Sequence, residues 1–388
     1  MKTAIKILVI LFIVSIFISY ADIAYADEDD KNLNQTIDEM LDSIDLNDLE
    51  KYYNSIPQHF KNDSDLKSYL KRLFSMEDFA DYDSILLYCT GTFLKGFKEK
   101  LPLFITLFAL LVISGLISAT ASSKGKGVTE IARFAVYAAV ICTITAIAYS
   151  LLEKGKSVIE GISAAVETVF PIILTLMTVT GSSASVAAYS PSVAFISNFA
   201  VLAAKNLIFP IIVFMLAVSV ISNINSSVKL KNLFGFCASS LKWILGLLVT
   251  LFSVFLTVKG LSAGTFDGIS IRAVKYTINS SVPIVGGLVK DGLDFILAAA
   301  VLIKNSLGVF AIIYIFGAAI GPILEIAAIS LSLKFVNAVT EPIGDGKSND
   351  FINSVSASLN FLTATIITIS VMYLALLFMV VYSSQVIL

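Results

Sequence analysis

Six long apolar runs constrain the fold of this chain more than any other feature of its sequence. A helix of roughly 20 apolar residues crosses a bilayer, and the runs that approach or exceed this length are residues 101–119, 131–152, 192–222, 243–258, 306–333 and 361–383. Their hydrophobicity does not alternate as it does in a membrane β-strand. Only 14% of the residues are charged, against roughly 25% in soluble domains. The sequence therefore predicts an all-α polytopic membrane protein.

The number of crossings depends on how residues 164–181 are counted. If this segment is counted, and if the longer runs are divided by breaks, we expect about seven or eight transmembrane or re-entrant helices. Cytoplasmic loops are rich in Lys and Arg, so the basic residues that follow the first run predict that it passes inward. Beyond residue 160 two orientations stay open. The loop with Lys229 and Lys231 lies outside if 164–181 and 192–222 both span, and inside if one is re-entrant or broken.

The N-terminus has the three parts of a secretory signal. Lys2 and Lys6 precede an apolar core over residues 7–20, and Ala24 and Ala26 form a small-x-small cleavage site. We predict a signal peptide over residues 1–26 that is cleaved after Ala26. The alternative is an uncleaved anchor helix.

An acidic, helical segment is predicted between the signal and the membrane domain, over residues 27–97. Between residues 27 and 85 there are 16 acidic and 6 basic side chains. Its apolar residues recur at i, i+3, i+4 and i+7, the spacing of amphipathic helices, in the sets Ile37, Met40, Leu41, Ile44 and Leu66, Tyr69, Leu70, Leu73. We expect this segment to be extracytoplasmic, and residues 98–388 to form the polytopic domain.

Polar side chains within or beside the apolar runs are the candidate functional residues. Ionisable groups at membrane depth cost at least about 2.5 kcal/mol on insertion scales and often mark transport pathways. The candidates are Lys205, Asn206, Asp291, Asp294, Lys304, Asn305 and Glu325. The two lysines would alternatively extend to a headgroup region at a helix break, and Glu325 would alternatively serve helix packing. Lys205 and Lys304 lie in two similar segments, which indicate either a weak internal repeat or chance similarity.

Signatures of catalysis, cofactors and nucleic-acid binding are absent from the sequence. The only histidine is His59, and the three cysteines form no CxxC pair, so no metal site is predicted. Gly346-Lys347-Ser348 resembles the end of a phosphate-binding loop, but the required first glycine is Glu341. We expect no enzyme activity, no cofactor and no nucleic-acid partner.

Several segments in a fixed order resemble the stage III sporulation protein AE family. They are the apolar stretch 170–176 that continues to Pro191, then residues 271–276, 281–287 with Asp291 and Asp294, Lys304-Asn305, and 341–345. The resemblance implies a polytopic, permease-like subunit of a complex between the mother cell and the engulfed forespore. It also implies partners among the other stage III sporulation proteins, including a separate cytosolic ATPase, and a location in the mother-cell membrane.

Two other functions fit the same residues. A stand-alone secondary transporter would use Lys205, Lys304, Asp291 or Glu325 for coupling. A membrane scaffold would use residues 98–388 only to anchor the exported segment.

Overall fold

The computed structural model is helical in almost every residue that it describes, and no strand occurs among them. It describes residues 31–60, 65–75, 82–119, 126–224, 230–281, 286–342 and 346–383, and over 259–294 only the course of the helices. The signal peptide with Ala24 and Ala26 therefore lies outside the described residues. The polytopic all-α prediction is confirmed.

Three short helices precede the long ones: α1 (Lys31–Ser43), α2 (Asn47–Ser55) and α3 (Leu66–Ser75). The predicted apolar faces of α1 and α3 lie inward, because Ile37, Leu41, Tyr69 and Leu70 are all at most 3% exposed. Two ion pairs connect α1 to α3, between Asp38 and Lys71 and between Asp42 and Lys67. The acidic face of α1 therefore lies against the basic face of α3.

Seven longer helices form the body. They are α4 (Tyr82–Ala119), α5 (Lys126–Val179), α6 (Ser183–Ala203), α7 (Phe209–Ile224), α8 (Lys231–Ser281), α9 (Gly286–Thr340) and α10 (Gly346–Ser383). One π-helical turn, Ala204–Ile208, joins α6 to α7 into a single rod. At 1.5 Å per residue, the 54 residues of α5 extend about 80 Å, far more than the roughly 30 Å of a bilayer core.

Among the described residues, six helical stretches are long and apolar enough to cross a membrane: Ile85–Ile117, Gly127–Val179, Ser185–Ser222, Lys231–Val258, Phe295–Thr340 and Gly346–Val381. This number is lower than the seven or eight helices expected from the sequence, for one reason. Residues 164–181, counted separately in the sequence, are the last part of α5 and the turn after it. That turn reverses the chain at Gly181, whose φ of 77° lies in the left-handed region that glycine adopts without strain.

Successive long helices alternate in direction. Contacts pair Lys154 with Glu325 and Gly161 with Tyr314, so α5 and α9 are antiparallel. Lys304 contacts Val381 while Ser330 contacts Asn360, so α9 and α10 are antiparallel as well. By the same order, the helix ends at Ala119, Ile224 and Thr340 all lie at one end of the bundle.

Helix α9 is the centre of the molecule. Most of its residues from Ile303 to Ile329 are buried, because α4, α5 and α10 pack around it and the short N-terminal helices cover one side. Aromatic side chains of the N-terminal helices stack edge-on against it, with ring centroids 5.1 Å apart for Tyr52 and Tyr314 and 6.3 Å apart for Tyr69 and Phe310. The N-terminal segment is thus built onto the membrane domain.

Glycines allow the closest helix approaches. A Cβ on Gly308 would lie 2.2 Å from Cγ2 of Val381, and one on Gly155 would lie 2.8 Å from Cδ1 of Leu362. Gly317 and Gly321, two small residues four apart on α9, also face neighbours, since a Cβ added to each would meet Pro57 at 3.0 Å and the Tyr88 hydroxyl at 3.7 Å. These two glycines therefore serve packing between the N-terminal helices, α4 and α9.

Candidate functional site

A charged segment interrupts the apolar surface of α5 at mid-helix. It contains Glu153, Lys154, Lys156 and Glu160, and the helix passes through it without a break. Residues 153, 156 and 160 are three and four apart and share one face, while residue 154 lies on another. Two separate faces of α5 thus carry charge at the same level of the bundle.

The first face pairs with α9. Lys154 forms an ion pair with Glu325, whose side chain is 20% exposed. Helix α4 closes the site, because a Cβ on Gly96 would lie 3.5 Å from the Cα of Glu325. A buried carboxylate without a partner is strongly destabilising, and Lys154 supplies the partner of Glu325 between three helices.

The second face pairs with the rod formed by α6 and α7. Lys205 lies 2.7 Å from Glu160, and both side chains are about 40% exposed. Lys205 belongs to the π-helical turn Ala204–Ile208, a local widening that often occurs at functional sites. Pro210 follows and has no N–H to donate to the carbonyl of Asn206, which favours such a widening.

An open groove lies beside this second pair. Its volume is about 750 Å³, and it is lined by Glu153, Lys156, Glu160, Lys205, Asn206, Phe209, Pro210, Val213, Phe214 and Ala217. Two acids and two lysines therefore face an otherwise apolar wall. No ion pair joins Glu153 or Lys156 to another residue that the structure describes, so these two charges are available to a solute or to water.

Lys304 and Asn305 occupy a different place. Lys304 is fully buried and donates a hydrogen bond of 3.0 Å to the carbonyl of Val381. Because Val381 belongs to the last turn of α10, its carbonyl has no partner within the helix, and the Lys304 side chain supplies one. Lys304 therefore does not extend outward to a headgroup region. The Oδ1 atom of Asn305 is buried without a hydrogen-bond partner in the described part of the chain.

The sequence candidates are thus divided between two places. Lys205, Asn206 and Glu325 come together around the charged segment of α5, whereas Lys304 and Asn305 lie 21 residues from Glu325 on α9, about 31 Å along the helix. Asp291 and Asp294 belong to the first turns of α9, but their side chains lie outside the described residues. The two similar segments around Lys205 and Lys304 have different surroundings, one a π-helical turn and the other an unbroken helix.

The sequence did not single out Lys154 and Glu160, which are the ion-pair partners of Glu325 and Lys205. They follow the apolar run 131–152 and lie outside every segment counted as a span in the sequence. The i, i+3, i+7 spacing of Glu153, Lys156 and Glu160 was the available signal, since it is the pattern of one helical face. Among the residues described, no group of His, Cys, Asp or Glu has the arrangement of a metal site.

Comparison with known proteins identifies the family. The family profile described as stage III sporulation protein AE matches residues 64–384, which is most of the chain. The chain belongs to the stage III sporulation protein AE family. The earlier resemblance is thereby confirmed, and a role in sporulation follows from it.

The matched region begins in the N-terminal segment and contains the charged part of α5, the π-helical turn and the whole of α9. A stage III sporulation protein AE from Bacillus subtilis (strain 168) is 23% identical over 246 residues, which are 63% of this chain and 62% of the relative. No solved structure matches the chain significantly.

Proposed function

We propose that this member of the stage III sporulation protein AE family is a permease-like, non-enzymatic subunit of a multi-protein channel between mother cell and forespore. The observation that carries the proposal is the charged segment of α5, which forms ion pairs with two different helices inside an otherwise apolar bundle. These pairs lie at the edge of the membrane layer assigned below, and ionisable residues of membrane proteins commonly line a pathway for an ion or a solute.

The distribution of basic residues supports a defined orientation. The helix ends at Ala119, Ile224 and Thr340 lie at one end of the bundle. Basic residues follow each of them in the sequence: Lys124 and Lys126, Lys229 and Lys231, and Lys347. Because inner loops are enriched in Lys and Arg, we assign this end to the cytoplasm of the mother cell. The basic residues at 124–126, 229–231 and 347 then agree, since α5 and its turn at Gly181 return the chain as one long hairpin. Arg272 and Lys275, in the last turns of α8, lie toward the other end.

The membrane layer then lies in the basic half of the bundle. It extends from these loops to the charged segment of α5, and includes residues 101–119 of α4 and 346–362 of α10. The outer half of α9 and the helices α1–α3 that cover it lie outside the membrane, between the two cells. That placement exposes the acidic residues of α1 and α2 to extracytoplasmic partners.

Energy for transport would come from a separate protein. The chain lacks a complete phosphate-binding loop, so we assign nucleotide hydrolysis to a cytosolic ATPase of the same complex. Its binding surface would lie at the basic end, where the cytoplasmic turns meet.

A charge-reversal series in the sporulating organism tests this function. Glu325→Lys and Lys154→Glu should each block spore formation after engulfment, and the double exchange should restore it in part because the ion pair is rebuilt. Lys95→Glu is the matched control, since Lys95 is 76% exposed on α4. Co-purification with the other stage III proteins should persist in each variant. Normal sporulation of a strain that lacks the whole protein would refute the proposal.

A stand-alone secondary transporter is favoured by one observation, the groove beside Glu160 and Lys205. It requires that the purified chain alone moves a solute across proteoliposomes, and that Glu160→Gln changes the flux. If flux appears only when the ATPase and the other subunits are added, the channel subunit is the better description.

A further inference from the structure

A stripe of polar residues is buried along α10 at intervals of seven. Its members are Asn349, Ser356, Thr363 and Ser370, and all four are at most 8% exposed. A seven-residue spacing keeps them on one face of a helix that packs against a neighbour. From residue 349 to residue 370 the stripe extends about 31 Å, so it begins in the membrane layer proposed above and ends about 10 Å beyond Thr363.

The stripe faces α9. On α10, Asn360 contacts Ser330 of α9, and Ser356 and Thr363 lie four and three residues from it, on the same face. Near the other end, Val381 contacts Lys304 of α9 and lies eleven residues, or about three turns, after Ser370. On α9, Asn337 is seven residues after Ser330 and so faces α10.

Most oxygen atoms of this seam are buried without a partner. Among the described residues, the Oδ1 atoms of Asn337 and Asn349 and the Oγ atoms of Ser356 and Ser370 accept and donate no hydrogen bond. Thr363 donates to the carbonyl of Leu359 at 3.1 Å and keeps its acceptor sites. Alanine would pack as closely without the cost of burying a lone hydroxyl, so close packing alone does not account for these residues.

We infer that the seam between α9 and α10 holds a file of water molecules that crosses the membrane layer. Water suits these groups because it donates to amide and hydroxyl oxygens, and a buried water needs two to four polar partners. The neutral oxygens of the seam follow one another at intervals of one to two helical turns. Water molecules bound to successive oxygens can therefore also contact each other. The seam therefore offers a path for water and for protons along a file of hydrogen bonds.

The path has defined ends, if the membrane placement proposed above is correct. Asn337 and Asn349 lie near the cytoplasmic turn at 341–345. Thr363 lies one residue after Leu362, which packs on Gly155 inside the charged segment of α5. The file of water molecules would thus connect the cytoplasm to the level of the Lys154–Glu325 pair. Its existence can be tested in the purified protein without assuming the proposed channel function.

Reaction of introduced cysteines with Ag⁺ tests the inference. In the full chain with Cys89, Cys142 and Cys237 replaced, single variants Ser356→Cys, Thr363→Cys and Ser370→Cys are reconstituted in liposomes. Ag⁺ is about as small as water and replaces the thiol proton, so an S–Ag bond forms and H⁺ is released. Thiols that escape Ag⁺ are then counted by alkylation after unfolding.

Ser358→Cys is the matched control. Ser358 lies on the same helix and is fully buried, but its hydroxyl donates to the carbonyl of Ser354 at 3.0 Å, and it lies off the stripe. We expect the three stripe cysteines to react at least about tenfold faster than this control, because a hydrated thiol ionises more easily than a dry one. Equal rates at the stripe and the control would overturn the inference. Three stripe positions keep the test decisive if one variant fails to fold.

Discussion

Glu325 shows how one charge is held inside an apolar bundle. Its carboxylate is mostly buried, it pairs with Lys154, and α4 approaches it closely at Gly96. Part of the ion pair is exposed to solvent, so its contribution to stability lies between that of a surface pair and that of a fully buried pair.

Neutralising one partner should therefore be worse than neutralising both. Glu325→Gln or Lys154→Gln should each lower the free energy of unfolding by about 1–3 kcal/mol, because each leaves a partly buried charge alone. The double variant should lose less than the sum. Thermal unfolding of the detergent-solubilised protein measures this, with Lys95→Gln as an exposed control. Additive losses would show that the two side chains do not interact.

Lys304 should stabilise the C-terminal end of α10 through its hydrogen bond to Val381. Lys304→Met keeps the length and apolar stem of the side chain but removes its hydrogen bond to Val381, a loss of about 0.5–3 kcal/mol. Hydrogen exchange should speed up in the last turns of α10, while α5 remains protected. Unchanged exchange there would contradict the capping role.

At the scale of the helices, glycine decides how closely α9 and α10 approach. Gly308→Ala places a methyl group 2.2 Å from Cγ2 of Val381, and overpacking of this kind typically costs about 1–3 kcal/mol.

The matched control for that substitution is Gly246→Ala on α8, where a new Cβ meets nothing within 4 Å. It should be neutral or stabilising by up to about 1 kcal/mol, since alanine favours helix more than glycine does. Val381→Ala should partly rescue Gly308→Ala. Apparent melting temperatures of the four proteins test this, and an undisturbed Gly308→Ala variant would rule out the tight contact.

The helices were predictable from the sequence, whereas their continuity was not. Apolar composition is a local property, so each run was identified, and the amphipathic spacing of Ile37 and Leu41 or of Tyr69 and Leu70 correctly gave the buried faces. The charges at 153–160 resembled a loop because their partners, Glu325 and Lys205, are remote in the sequence. Only tertiary contacts make those charges compatible with one unbroken helix.

At the scale of the whole molecule, the alternating helix directions give a firm expectation for topology. With the native cysteines replaced, Val128→Cys and Leu233→Cys lie near the basic end, whereas Ser183→Cys and Gln35→Cys lie in the other half. An impermeant maleimide applied to the mother-cell membrane from outside should label only the cysteines at positions 183 and 35. The cysteines at positions 128 and 233 should be labelled only after permeabilisation. The reverse pattern would invert the proposed orientation.

The contact of the N-terminal helices with α9 has a consequence for how the protein is made. Tyr69 finds its partner Phe310 only after the ribosome has added 241 further residues, which takes roughly 10–50 s at typical rates of synthesis. During that interval the apolar faces of α1 and α3 have no helix to cover them. We therefore expect the docking of this segment onto α9 to be a late step in the folding of this protein.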